Sequence, residues 1–119
     1  MKIIHLVLAA VAALPFADAS AATMGYAKDS PVGRFNDEDM SLFHGASQKA
    51  LNEAADGEIV EWKNASTGSA GSISPLKSFE RGGLKCRSVR VRNQHKSLQG
   101  SQKVTMCQQS DGEWKIAKQ

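Results

Sequence analysis

The sequence is poor in the residues that metal and cofactor sites need. It contains only three histidines and two cysteines. His5 falls in an apolar N-terminal run, which leaves His44 and His95 as the imidazoles of the remaining chain. Metal sites gather His and Cys at defined spacings, and Cys86 and Cys107, with 20 residues between them, do not match one. We therefore predict no metal ion and no cofactor.

Motifs for nucleotide binding and for nucleophilic catalysis are missing as well. The glycines at 68 and 71 are not followed by the Lys-Ser/Thr pair of a phosphate loop, and neither G-x-G-x-x-G nor G-x-S-x-G occurs. A catalytic serine or cysteine needs a neighbouring base. We interpret His44, on a predicted helix, and His95, in a predicted polar turn, as surface residues. The sequence therefore predicts a protein that is not an enzyme.

No apolar run is long enough to cross a membrane as a helix, which takes about 20 residues. The longest, "IIHLVLAAVAAL", follows Lys2 and precedes two overlapping A-x-A sites, an arrangement typical of a secretory signal peptide. We predict that residues 1–21 are this peptide, cleaved after Ala19 or Ala21. The alternative is a buried N-terminal helix. No Cys lies near the cleavage site, so we expect neither a lipid anchor nor a transmembrane span in the mature chain.

The remaining residues suffice for one small domain. Residues 22–35 contain Gly and Pro without periodicity, and we interpret them as a flexible lead-in to a domain over residues 36–119. Export implies an oxidising compartment, where Cys86 and Cys107 are expected to form a disulfide that staples a small core. A metal or redox site is the alternative, and the C-x-x-C redox pair is absent.

A helix is predicted from about Asp37 to Ala55. Asn36 is a suitable N-cap, three acidic residues follow in the first turn, and Gly57 is a natural stop. Six residues share one stripe at helical spacing and are expected to face the core: Met40, Phe43, Ser47, Ala50, Leu51 and Ala54.

Short alternating segments follow, separated by turn signals. They predict strands near 58–64, 69–77, 84–94, 102–109 and 113–118, with a polar turn region at 95–101. One helix followed by about five strands predicts an α+β domain, with the N-terminal helix packed on an antiparallel meander.

The stretch "VEWKNASTGSAGSISP", residues 60–75, predicts a hairpin. Trp62 is expected to anchor the core, and residues 64–68 to form the turn with Gly68 at a positive φ. Gly71 indicates a bulge or a close backbone approach. Pro75 is expected to close the second strand.

Charge is distributed unevenly along the chain. Residues 20–57 carry three basic and six acidic side chains, whereas residues 58–119 carry eleven basic and five acidic ones. In the run "KCRSVRVRNQHK" we single out candidate residues for binding an anion or a partner, with an ordinary solvated strand face as the alternative: Arg87, Arg90, Arg92 and Lys96. The run has no aromatic residue for base stacking, so nucleic acid is not the expected partner. The expected partner is an envelope component or an anionic polymer.

Several motifs occur in an order that resembles the C-terminal domain of the bacterial 17 kDa surface-antigen family. They are Ala50-Leu51, Asp56-Gly57, W-x-N-x-x-T-G-x-x-G-x-I-x-P from Trp62 to Pro75, Cys86-Arg87, Cys107, and D-G-x-W-x-I from Asp111 to Ile116. Many family members carry a lipid-bearing Cys and a glycine-rich segment ahead of this domain. This sequence shows neither, and it has Ala65 and Gln108 where the family often has Pro and Arg.

The resemblance implies an envelope or surface protein without catalysis. We expect a non-enzymatic exported protein with a structural or binding role, in the periplasm, at the outer membrane or secreted. The alternative is a secreted inhibitor or ligand-binding module that uses the basic strand face.

Overall fold

The computed structural model describes residues 30–117 as a helix packed on a five-stranded antiparallel sheet. The elements are α1 Asp37–Glu53, β1 Val60–Asn64, β2 Ser69–Arg81, β3 Leu84–His95, β4 Leu98–Gln108 and β5 Trp114–Ile116. Each strand pairs with its neighbours in chain order. The predicted α+β meander with an N-terminal helix is therefore confirmed. The predicted signal peptide, residues 1–21, lies outside the described residues.

A short 3₁₀ helix, Pro31–Arg34, precedes α1. Pro31 is buried and packs over Gly100 of β4, where an added Cβ would lie 3.1 Å from Pro31 Cδ. The described fold therefore begins ahead of Asn36, within the stretch 22–35 that we interpret from the sequence as a lead-in.

The start of α1 is the predicted one. Asn36 Oδ1 accepts a hydrogen bond of 2.8 Å from the backbone N–H of Asp39, and the Asp39 carboxylate accepts one of 3.0 Å from the N–H of Asn36. This reciprocal capping box satisfies two donors that the first turn would otherwise leave open. The helix ends at Glu53, two residues before the predicted end.

Small side chains on α1 allow it to lie close against the sheet. The core combines alanines and a leucine of the helix with the largest apolar side chains of β1–β3: Ala46, Ala50, Leu51, Ala54, Val60, Trp62, Ile73 and Val89. The predicted anchor role of Trp62 is confirmed, and the Phe35 ring meets the Trp62 indole edge to face at a centroid distance of 5.1 Å.

The prediction that Met40 belongs to the core-facing stripe of α1 is wrong. Met40 is 41% exposed, while the adjacent Asp39 is fully buried. The reason is polar: the Asp39 carboxylate is surrounded by hydrogen-bond donors from the β1–β2 turn, and these bonds orient the first turn of α1.

The β1–β2 hairpin agrees with its sequence in three respects. Residues 65–68 form the turn, and Gly68 has a φ of +74°. Gly71 lies opposite Trp62 in regular register, so it marks a close approach and not a bulge. A Cβ there would lie 2.6 Å from both Trp62 Nε1 and the carbonyl oxygen of Arg92.

Pro75 does not close β2, contrary to the prediction. The strand continues to Arg81, and its register with β3 shifts between Pro75 and Lys77. Proline lacks the N–H that a ladder needs, and a bulge beside it lets the strand continue past this position.

The predicted polar turn region at 95–101 is also mostly strand. Only Lys96 and Ser97 form the turn, and His95 and Leu98 already pair across it. The positive φ of Lys96, +53°, closes this tight connection, a conformation that is uncommon for residues other than glycine.

Candidate binding face of the sheet

One face of the sheet is covered by α1 and the other, here called the open face, is not. Trp62, Ile73 and Val89 point toward the helix side, where they form the core. Since side chains alternate along a strand, their neighbours point to the opposite side. Cross-strand pairs share a face, so the register identifies the residues of the open face across all five strands.

The open face is rich in cations. The register places there Lys63, Lys77, Arg81, Arg90, Arg92, Lys103 and Lys115. The single carboxylate at those strand positions is Glu61, which pairs with Ser72. Serines, threonine and glutamines occupy most of the remaining positions of β2–β4, so this face combines positive charge with hydrogen-bonding groups.

Three of these cations form a compact group, here called the cation triad: Arg90, Arg92 and Lys103. Arg90 lies directly opposite Lys103 in the β3–β4 ladder, and Arg92 lies two residues along β3, about 7 Å from Arg90. Like charges directly opposite each other destabilise a sheet. Within residues 30–117 the one salt bridge joins Arg87 to Asp56. No carboxylate in that range forms a salt bridge with any of the three triad residues.

A shallow cleft of about 800 Å³ adjoins the cation triad. Its walls include two charged side chains of opposite sign, Glu61 and Lys63, with Arg92, Gln94, Gln99 and Ser101. Arg92 thus belongs to both the cleft and the triad. These side chains offer hydrogen-bond donors and acceptors side by side.

The structure divides the four basic residues predicted from the sequence. Arg90 and Arg92 lie together on the open face. Arg87 lies on the helix side, opposite Ser78 and Met106. Lys96 sits in the β3–β4 turn, where its side chain lies near Gly68. The other cations of the open face, among them Lys63 and Lys103, were not predicted because their placement depends on the register of distant strands.

The Arg87 side chain caps the C-terminal end of α1. Its guanidinium donates to the carbonyls of Ala50, Leu51 and Ala54 at 3.0, 3.0 and 2.7 Å, and to Asp56 Oδ1 at 2.9 Å. A cation is stabilised there because the last carbonyls of a helix are unpaired and partly negative. Hydrogen bonds from Arg87 and then Ser78 lower the pKa of Asp56 below its ordinary value. Arg87 is therefore a structural residue.

A buried polar network joins α1 to both hairpin turns. Asp39 accepts hydrogen bonds from Asn64 Nδ2 at 2.8 Å, Thr67 Oγ1 at 2.7 Å and Ser69 Oγ at 3.1 Å. Burial raises the pKa of Asp39, but the hydrogen bonds from Thr67, the Asn36 backbone, Asn64 and Ser69 together outweigh it and leave that pKa lowered.

His95 completes this network and is not the free turn residue that we expected. Its Nδ1 lies 2.8 Å from Ser69 Oγ. Because the Ser69 hydroxyl gives its proton to Asp39, His95 Nδ1 must be the donor toward Ser69. In this network the hydroxyl lies between the carboxylate and the imidazole, whereas in a catalytic triad the imidazole lies between the carboxylate and the hydroxyl. Ser69 is also only 1% exposed, so a substrate could not reach its oxygen. Asp39, Ser69 and His95 therefore form a structural network.

The predicted disulfide joins the neighbouring strands β3 and β4. Cys86 and Cys107 are directly opposite in the β3–β4 ladder, with Cα atoms 4.0 Å apart, and they form a disulfide. Both side chains are buried. The predicted bond is therefore confirmed, and no cluster of three or more His, Cys, Asp or Glu side chains that could hold a metal occurs between residues 30 and 117.

Comparisons with known proteins agree with the ordered motifs. A family profile described as "17 kDa outer membrane surface antigen" matches residues 49–115. The chain is 32% identical over 86 residues to the "17 kDa surface antigen" of Rickettsia bellii (strain RML369-C), and 32% identical over 85 residues to that of Rickettsia prowazekii (strain Madrid E). Each match covers 68% of this chain and 52% of the relative, so the chain spans about half the length of the curated relatives that it matches.

Neither a similar solved structure nor a membrane-spanning helix in the described residues was found. No solved structure matches the chain significantly. In the described part of the chain, no helix combines the length and the apolar character that a membrane crossing requires.

Proposed function

Because the chain belongs to the family of 17 kDa outer membrane surface antigens, we propose that it is an exported, non-enzymatic protein of the cell envelope that binds an envelope component. The binding surface is the open face, and the cation triad is its centre. The observation that carries this proposal is the pairing of Arg90 with Lys103 without a neutralising carboxylate in the described residues. A bound anion would relieve the repulsion between them.

Export is supported by two independent features. The N-terminal residues follow the pattern of a secretory signal peptide. The Cys86–Cys107 disulfide is buried within the sheet, and such bonds persist in oxidising compartments.

A binding role is supported by the contrast between the two faces. On the helix side, Arg87 is neutralised by Asp56 and by helix carbonyls. On the open face, Arg90, Arg92 and Lys103 have no comparable partner among residues 30–117. Arg87 is held in place by Asp56 and the helix carbonyls, whereas the triad remains available to a ligand.

Fractionation of cells that express the tagged full-length chain tests the location. We expect the mature chain in the envelope fraction, with Cys86 and Cys107 resistant to alkylation until reductant is added. A cytoplasmic pool with free thiols would contradict export. Recovery from the culture medium alone would favour the alternative of a secreted inhibitor.

Capture of envelope material tests the binding role. The double variant R90S/K103S should retain much less bound material than the unmodified chain. The matched control R34S/K49S removes two positive charges from exposed positions outside the open face and should retain it. Equal capture by both variants would refute the open face as the binding surface.

A further inference from the structure

The cleft and the cation triad form one continuous surface, and Arg92 belongs to both. Within the cleft, the row Lys63–Ala70–Gln94–Gln99 crosses four strands in register. The adjacent row is Glu61–Ser72–Arg92–Ser101. At the usual spacing between strands these rows extend about 14 Å, which is longer than a single small ion requires.

The side chains of the cleft favour a ligand with many hydroxyl groups. Gln94 and Gln99 each carry an acceptor oxygen and a donor nitrogen, Ser72 and Ser101 can donate and accept, and Glu61 accepts. A hydroxyl group of a sugar also donates and accepts, so such a row can pair with several of them. Ala70 is the one apolar side chain in the two rows.

The same composition argues against an apolar ligand or a lipid bilayer. Pockets for small apolar molecules are lined mainly by hydrophobic and aromatic side chains. Binding at a membrane interface usually combines cations with Trp, Phe or Leu side chains that enter the lipid. Trp62 also lines the cleft, but it is 6% exposed and belongs to the core. The two rows themselves offer neither aromatic nor large aliphatic side chains.

We infer that the open face binds an anionic polysaccharide, a chain of sugars that bear carboxylate or phosphate groups. The cation triad pairs with the anionic groups, and the glutamines and serines of the cleft pair with sugar hydroxyls. Arg90 and Arg92 suit the anionic groups because a guanidinium forms bidentate hydrogen bonds with carboxylate and phosphate. This inference rests on the proposed function and specifies its ligand.

Binding measurements with four probes test the inference on the mature domain with its disulfide intact. Polygalacturonate provides sugars with carboxylates, and phosphorylated mannan provides sugars with phosphates. Polyphosphate provides anionic groups without sugars, and vesicles of phosphatidylglycerol with phosphatidylcholine provide an anionic lipid surface. Titration calorimetry measures each affinity at a fixed salt concentration, because salt screens exposed charges.

Two double variants separate the contributions of charge and of sugar contacts. R90S/K103S should weaken binding of an anionic polysaccharide at least about 10-fold, the expected effect of losing charged hydrogen bonds. Q94A/Q99A keeps the net charge and should weaken the same polysaccharide several-fold, with no effect on polyphosphate. Gln94 and Gln99 are exposed, so the fold should persist, and matching melting curves would verify it. R34S/K49S is the control for general charge.

Each result either supports or overturns the assignment of an anionic polysaccharide as the ligand. Failure of both polysaccharides to bind overturns the inference, as does tighter binding of vesicles or an unchanged affinity of Q94A/Q99A for the polysaccharide. If neither polysaccharide binds but envelope capture still requires Arg90 and Lys103, the ligand class is wrong and the proposed function stands. If capture is also insensitive to these residues, both fail.

Discussion

Asn64 donates a hydrogen bond of 2.8 Å from its side-chain amide to the buried carboxylate of Asp39, which joins the turn after β1 to the first turn of α1. Both residues are more than nine-tenths buried. Asn64 is the Asn of the W-x-N-x-x-T-G motif, and Thr67 of the same motif donates to the same oxygen. Two polar residues of the motif thus bind one carboxylate that is distant in sequence.

Replacement of Asp39 by Asn should destabilise the domain by about 3 kcal/mol, since a buried donor left without an acceptor costs about 1–3 kcal/mol. The new amide group can accept at only one of its two ends, so two of the donors around it lose their partner. Urea denaturation measures the change. D37N, an exposed substitution in the same helix turn, should cost less than about 1 kcal/mol, and equal effects would contradict the role of the network.

Stability should fall in acid because the pKa values of Asp39 and Asp56 are lowered from the ordinary value of 3.8. A lowered pKa means that the unfolded chain takes up protons first as the pH falls, so acid favours unfolding. The contribution should be complete near neutral pH and decline below about pH 4. Denaturation midpoints from pH 7 to pH 2.5 measure it. D39N should show a shallower decline, and an unchanged slope would contradict the assignment to Asp39.

Replacement of Arg87 by Met should cost about 1–3 kcal/mol, because the carbonyls of Ala50, Leu51 and Ala54 at the end of α1 lose their donor. The matched control is R92M on the open face, where the exposed Arg92 should contribute less than about 0.5 kcal/mol to stability. Thermal and chemical unfolding of both variants provide the comparison. Similar losses would mean that Arg87 stabilises the fold only as a general positive charge.

Reduction of the Cys86–Cys107 bond, or the C86S/C107S variant, should lower stability by about 2–5 kcal/mol, the range for native disulfides in small exported domains. The bond closes a loop with a sequence separation of 21, and its loss increases the conformational freedom of the unfolded chain. Melting with and without reductant measures the effect. An unchanged melting temperature would contradict it.

Substitution of Ala at two glycines should have opposite effects. At Gly71 the new Cβ would collide with the Asn93 side chain, the Arg92 carbonyl and Trp62 Nε1, so G71A should be destabilising by about 1–3 kcal/mol. At Gly45, on the exposed side of α1, nothing lies within 4 Å, and G45A should stabilise by about 0.5–1 kcal/mol. Equilibrium unfolding of both variants tests the contrast, and a neutral G71A would contradict the close approach.

Features that depend on neighbouring residues were predictable from the sequence. The cap at Asn36, the hairpin turn with Gly68 and the core position of Trp62 each follow from local chemistry or alternation, and the structure confirms them. The disulfide followed from the presence of two cysteines and the expected compartment.

Features that depend on distant residues were not predictable. Asp39 resembled an ordinary acidic residue near a helix start, because its donors are 25–30 positions away. Arg87 shares the parity of Val89 and Val91, so alternation places it on their face, but the α1 carbonyls that accept its hydrogen bonds are 33–37 positions away. The cation triad required the β3–β4 register, which sets Lys103 against Arg90.

The chain-order arrangement of the sheet has a consequence for how the domain folds. Every strand pairs with the strand just before or just after it, and α1 packs on β1 and β2, the strands that follow it. No strand has to pair with a strand that is distant in sequence, and long-range contacts such as Pro31 with Gly100 lie outside the strand ladder. Contacts between nearby segments reduce the entropy lost in closing loops, and folding rates rise accordingly. A polypeptide with this order can assemble one hairpin at a time, with the Cys86–Cys107 bond formed once β3 and β4 have met.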